Sequence, residues 1–168
     1  ASITVDSICQ QTNPSWNIVI QCKSTERQSF TVDPRIQVFS DSAKSLASLI
    51  ESTESDFFVC CQPGDIFNPT FVSQFLEVFT HDPLAHIYYS DSETYQAQFG
   101  LRLPFFKPTA ISPELLISTN YLSRGIIQKN STLSFISLID SNLDWIYQEW
   151  EMCFFHIEQN NPTVHIPD

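Results

Sequence analysis

Hydrophobic positions along this chain alternate between two periods. Residues 57–61, Phe57-Phe58-Val59-Cys60-Cys61, are apolar without a break. That is the pattern of a strand buried on both faces, as in the centre of a parallel sheet. Residues 16–22, 35–39 and 85–90 carry shorter runs of the same kind. Between these runs the apolar residues recur at helical spacing. Ile3, Val5, Ile8 and Cys9 form one such set, and Leu46, Leu49 and Ile50, within residues 42–54, another. Phe71, Val72, Phe75, Leu76 and Phe79 give a third helix a wide apolar face. The order helix, strand, strand, helix, strand, helix, strand predicts an α/β domain, three layers deep, with a mainly parallel sheet.

The second half is less regular. Residues 99–109 read as a loop holding Lys107 between Phe106 and Pro108. Ser112-Pro113-Glu114 predicts a helix start, with serine as cap and proline in the first position. Residues 121–128 read as extended. A long helix is predicted over about residues 143–159, rich in Trp145, Tyr147, Trp150, Phe154 and Phe155, and a last strand over residues 164–167.

The turn after the 57–61 strand changes the picture from fold to chemistry. Pro63 fixes φ and Gly64 accepts φ > 0, so the chain turns sharply there. Asn68 is placed to cap the next helix and Pro69 to occupy its first position. Asp65 then stands at the carboxyl end of a central strand, where open α/β sheets bind ligands. Asp91 and Glu93 follow the 85–90 strand and are expected at the same sheet edge. Glu149 and Glu151 flank Trp150 on the late helix; two residues apart, they diverge by about half a turn, so one of them at most faces a cleft. In so acidic a chain each of these groups is equally at home as a solvated surface charge.

The length of 168 residues fits one domain, and 42% hydrophobic against 16% charged residues argues against disorder. A net charge of −11 repels nucleic-acid backbones and anionic membranes. No apolar run is long enough to span a bilayer. The five cysteines show no paired spacing. Cys60 and Cys61, adjacent in a strand, are expected reduced and buried, which points to a reducing, cytoplasmic compartment. The three glycines cannot build a phosphate-cradling loop, and the four histidines have no metal-ligand spacing with one another. Cys153 and His156, three apart on a helix, are read as packing rather than zinc ligands.

Several stretches, in order and over nearly the whole chain, carry a family resemblance. Ser7-Ile8-Cys9-Gln10-Gln11-Thr12-Asn13-Pro14-Ser15-Trp16 is similar to an "S-I-x-x-Q-x-x-P-x-W" helix and turn. Residues 57–69 resemble a strand and loop bearing a D-x-D metal motif. Tyr89-Ser90-Asp91-Ser92-Glu93 resembles "Y-S-D-E-D". Phe106-Lys107-Pro108, Ser112-Pro113-Glu114-Leu115-Leu116 and Asn120-Tyr121 resemble "F-K-P … S-P-D-L-L … N-Y", and Glu149-Trp150-Glu151-Met152 resembles "D-Y-D-L". Val164-His165-Ile166-Pro167 resembles the strand that follows. Together these resemble family 2 glycosyltransferases of the GT-A fold. The resemblance implies a nucleotide-diphospho-sugar donor, a glycan acceptor in surface polysaccharide synthesis and a divalent cation, Mg²⁺ or Mn²⁺, at Asp65. It implies Asp65, Asp91 and Lys107 around the donor, and Glu149, with Glu151 beside it, as the catalytic acids.

The sequence also departs from that pattern. The family's first strand is expected ahead of residue 1, so the chain reads as a possible fragment with a hydrophobic slot beside residues 16–22. An open slot of this kind favours association, so either a neighbouring chain fills it, as in a homo-oligomer, or the domain is only marginally stable. A "D-D-G-S" stretch is here Gln21-Cys22-Lys23-Ser24, and the D-x-D region, Gln62-Pro63-Gly64-Asp65, keeps one acid. An arginine four residues after the "D-Y-D" stretch is replaced by Phe155. Two readings follow: a glycosyltransferase, or a GT-A-like domain without catalysis that serves as a binding or assembly module.

Overall fold

A computed structural model describes residues 2–22, 33–39 and 45–166. Among these residues the elements are α1 (Ser2–Cys9), β1 (Ile18–Gln21), β2 (Ile36–Phe39), α2 (Leu46–Ser52), β3 (Phe57–Phe58), α3 (Phe71–His81) and β4 (Ile87–Ser90). They continue with β5 (Ser92–Gln96), β6 (Leu101–Phe105), α4 (Pro113–Ser118), β7 (Ile126–Gln128), α5 (Lys129–Leu133), α6 (Trp145–Glu158) and β8 (Thr163–Ile166). Lys23, Ser24, residues 42–44 and Pro167 lie outside the described residues.

Local chemistry sets several of these ends. Ser112 Oγ accepts from the Leu115 N–H, with Pro113 and Glu114 in the first turn of α4. Ser45 Oγ does the same for Ser48 at the start of α2. Each satisfies a donor the helix cannot. Asn68 does not cap α3. Its side chain accepts from the Thr70 N–H and hydroxyl one turn earlier, and the helix begins at Phe71 behind Thr70. The Asn-Pro pair therefore shapes the approach to the helix rather than its first turn.

The four-stranded sheet has the order β3-β7-β4-β8. Strand β4 runs parallel to β8, whereas β7 runs antiparallel to both β3 and β4. The expected mainly parallel sheet is thus a mixed one. Between β4 and β7 the chain passes through the β5–β6 hairpin, α4 and the 121–125 turn, and it returns antiparallel to β4. Alternation along β4 divides the core. Ile87 and Tyr89 face α4 and α6, packing with Leu116, Leu122, Cys153 and Ile157. Tyr88 faces α3, packing with Phe75 and Phe79. Helices therefore cover both faces of this sheet. Phe57, Phe75, Phe79 and Tyr88 meet edge to face or tilted, with ring centroids 5.1–6.2 Å apart. Each such pair contributes about 0.5–1.5 kcal/mol beyond its buried area.

Two segments differ from their patterns. The 57–61 run pairs only at Phe57 and Phe58, while Val59, Cys60 and Cys61 continue outside the ladder. Cys60 is buried as expected, Cys61 is half-buried, and both are free thiols. Residues 92–105 form a hairpin, β5 with β6, where part was expected as loop. Every residue of both strands is exposed; Leu101, Leu103 and Phe105 do alternate along β6, but Pro104 within it and the polar run of β5 argue against a strand.

Strands β1 and β2 pair in parallel as a sheet of their own. Among the described residues no ladder joins β1 to β3. Between them lies a cavity of about 1350 Å³ walled by Ile18, Val19, Leu49, Phe57, Val59 and Phe67, among others. Near the entry to both strands the Asn17 amide donates to Ser55 Oγ, 2.8 Å away. A hydrophobic slot beside β1 was the sequence expectation, and it is there.

Candidate functional site

Residues 62–65 form a tight turn closed by the Asp65 N–H donating to the Gln62 carbonyl, 3.1 Å. Gly64 has φ +107°, which side chains of L-residues rarely accept. The turn folds the Asp65 carboxylate back, so that Oδ2 accepts from the Gln62 N–H at 2.6 Å. Helix α1 braces it from outside. Thr4 Oγ1 accepts from the Gly64 N–H and donates to the Gln62 carbonyl, while Ser7 Oγ accepts from the Phe67 N–H.

A second turn, 121–125, brings Arg124 to the same point. The Arg124 Nε donates to Asp65 Oδ2 at 2.5 Å, and its Nη2 lies 3.5 Å from Oδ1. The Arg124 backbone N–H donates to Glu149 Oε1 at 2.9 Å, and Nη1 stands 3.4 Å from Oε2. The guanidinium also lies 5.8 Å from the centre of the Trp145 ring. Asp65 and Glu149, far apart in sequence, thus share one arginine. Arg124 has φ +64°, a costly backbone for a residue with a Cβ. The next residue holds it: at Gly125 an added Cβ would stand 2.8 Å from the Leu122 carbonyl oxygen and 3.4 Å from that of Tyr88. We expect Gly125→Ala to cost about 1–3 kcal/mol, because the obstacle is rigid backbone, and to pull Arg124 out of line. Urea denaturation measures the loss, and the displacement shows as chemical-shift change at Glu149 and Asp65. An unchanged stability would mean that the turn gives way freely.

Glu149 is completely buried. It sits on the stripe of α6 that also buries Met152, Cys153, His156 and Ile157. Burial raises its carboxyl to about 7, against the pull of the Arg124 N–H and guanidinium and of Lys107. Lys107 is buried as well, and its Nζ donates to the Ser123 carbonyl at 3.0 Å. Burial lowers its ammonium to about 8, with Glu149 and Asp91 among the groups opposing the shift. The Lys107 backbone N–H donates to Asp91 Oδ1 at 2.8 Å, and His165 Nε2 lies 2.9 Å from the same oxygen. Burial works to raise the Asp91 carboxyl, but these two partners outweigh it and hold it below its usual value.

Glu93 stays outside, on exposed β5, with Arg102 Nη1 donating to it at 2.5 Å. Four of the six residues expected from the sequence are drawn together around Arg124 and the 121–125 turn: Asp65, Glu149, Lys107 and, through Lys107, Asp91. Glu151 is not. It lies on another face of α6, with its carboxylate accepting from the Asp140 N–H at 3.2 Å. The sequence reading missed Arg124 and His165. Arg124 carried one signal, that it is among only eight basic residues in an acidic chain. His165 carried none beyond its place in β8.

The donor set does not fit the divalent cation that the resemblance implies. Such an ion takes one or two protein carboxylates that are free to turn inward, the rest of its shell being phosphate oxygens and water. Both oxygens of Asp65 face the Arg124 guanidinium, and the nearest further carboxylate, Glu149, is bonded to the same residue. Among the described residues no group of three or more His, Cys, Asp or Glu side chains is placed to hold a metal ion. Cys153 and His156 do not form a pair for zinc either, since the His156 ring nitrogens are engaged by Thr132 and Asn161. No helix among the described residues is long and apolar enough to cross a membrane. No protein-family model matches the chain, and no curated protein matches it.

Proposed function

We propose that this is a glycosyltransferase-like domain of the family 2 type, built around a nucleotide-diphospho-sugar donor and a glycan acceptor of surface polysaccharide synthesis. What supports the reading is convergence. Asp65, Asp91, Lys107 and Glu149, each singled out by its place in the family pattern, come from four separate segments and meet at one end of the sheet. In this reading Glu149 takes the proton from the acceptor hydroxyl, and a carboxyl near 7 is suited to a base at neutral pH.

A second reading, a binding or assembly module without catalysis, is favoured by one observation. Glu149 is wholly buried beneath Arg124, so it reaches an acceptor only after the arginine side chain swings away. Thermal shift against a panel of uridine, guanosine and thymidine diphospho-sugars, followed by an assay of nucleotide release with glycan acceptors, separates the two. The first reading expects one donor to raise Tm and to release nucleotide, with Glu149→Gln retaining the shift and losing the release. A shift without release selects the binding module. No shift with any donor removes the nucleotide-sugar reading altogether.

A further inference from the structure

The geometry points to Arg124 as the built-in cation of this cleft: its guanidinium fills the seat between Asp65 and Glu149, and the cleft takes no divalent cation there. The glycosyltransferase-like reading supplies only the reason to look for a metal; the seat itself is defined by distances. Arg124 meets Asp65 through Nε at 2.5 Å and Glu149 through its own backbone N–H at 2.9 Å and Nη1 at 3.4 Å. A cation entering between these carboxylates would displace a positive charge that is already hydrogen-bonded to both, and would stand beside it afterwards.

The arginine is also held from outside the pair. Arg124 has φ +64° in a turn that the Gly125 N–H closes by donating to the Leu122 carbonyl at 2.9 Å, and the Trp145 ring lies beside the guanidinium. Asp91 is held apart from this seat, its Oδ1 accepting from the Lys107 N–H and facing His165. A planar guanidinium suits this position, since it carries a permanent charge and presents donors to two carboxylates at once. Its effect is to neutralise Asp65 without depending on metal supply.

Mn²⁺ binding decides the matter without any assay of turnover. Free Mn²⁺ is followed by electron paramagnetic resonance, and Tm is recorded with Mn²⁺ and with chelator, for wild type, Arg124→Gly, Arg124→Gln and Asp65→Asn. Glycine accepts the positive φ at no cost, so Arg124→Gly empties the seat and keeps the turn. Arg124→Gln is the smaller change if the glycine variant fails to fold. The expected result is no Mn²⁺ binding and no shift in Tm for wild type, with binding and a Mn²⁺-dependent rise in Tm appearing once Arg124 is replaced. Mn²⁺ bound by wild type and lost in Asp65→Asn overturns the inference. So does a folded Arg124 variant that still ignores Mn²⁺, because the arginine would then not be what fills a cation seat. Failure of all nucleotide sugars to bind would remove the functional reading and leave this result standing.

Discussion

Glu149→Gln is expected to make the domain more stable than wild type in alkali, by about 3 kcal/mol above about pH 8, and to change it little below about pH 5. The sign follows from burial. The Glu149 carboxyl rises from 4.5 to about 7 in the folded protein, because its charged form is shut away from water. A folded-state value above the unfolded one gives stability that is fully present below about pH 4.5. That stability is lost as pH rises through about 7, and the shift corresponds to about 3 kcal/mol. Glutamine keeps the shape and still accepts from the Arg124 N–H, but it has no charge to bury. Urea unfolding of both proteins at stepped pH should give curves that run together in acid and diverge through neutrality. Curves that stay parallel would show that Arg124 compensates the buried charge in full.

The second large effect lies at the opposite end of the pH scale, on the same stripe of α6. His156 is completely buried. Its Nδ1 accepts from the Asn161 amide and its Nε2 meets the Thr132 hydroxyl, each at 3.0 Å. Thr132 in turn donates to the Gln128 carbonyl at 2.8 Å. Both ring nitrogens are satisfied with one proton on the ring, at Nε2. A second proton, on Nδ1, would face the Asn161 amide and break its bond. Burial lowers the imidazole from 6.5 to about 4, with His86 adding to the shift. A neutral histidine favoured by folding gives stability present above about pH 6.5 and lost as pH falls through about 4, a loss of about 3 kcal/mol. His156→Leu should lower stability at neutral pH, since it leaves the Asn161 amide without its partner and Thr132 with only its bond to the Gln128 carbonyl, yet flatten the acid limb between those values. Retention of the wild-type acid limb in that variant would place the sensitivity elsewhere, among the carboxylates.

How far the sequence spoke for itself depended on what buries each segment. Strands β1, β2 and β4 were legible as apolar runs, β4 being covered on both faces; helices α3 and α6 were legible from their apolar residues and α4 from its Ser112-Pro113-Glu114 start. The β5–β6 hairpin was not, although Leu101, Leu103 and Phe105 alternate in β6, because Pro104 interrupts that strand and β5 is polar but for Tyr95. The reversed direction of β7 was also hidden: Ile126 and Ile127 are apolar whichever way the strand runs. In the site, Asp65 was readable from the Pro63-Gly64 turn, and Asp91 and Lys107 from the family pattern. The burial of Glu149 was legible in principle. Met152, Cys153, His156 and Ile157 follow it at the spacing of one helical stripe, so its carboxyl belongs to the covered side of α6 and Glu151 to another. What no local pattern could supply is Arg124. Its role arises because a turn residue and a strand-end acid, distant in sequence, arrive at one point after folding.

The divided sheet bears on how the domain breathes. Cooperative opening follows continuous hydrogen-bond ladders and shared cores. Strands β3, β7, β4 and β8 form one such ladder, clamped between α3 on one side and α4 with α6 on the other. Strands β1 and β2 form another, joined to β3 across a cavity rather than through backbone bonds. The amides of the larger unit therefore exchange with solvent only near global unfolding, while those of β1 and β2 exchange through a smaller, cheaper opening. The candidate site belongs to the protected unit, but Pro63 of its turn and Trp145 beside its arginine also wall the cavity, so opening of β1 and β2 is expected to expose that side of the site.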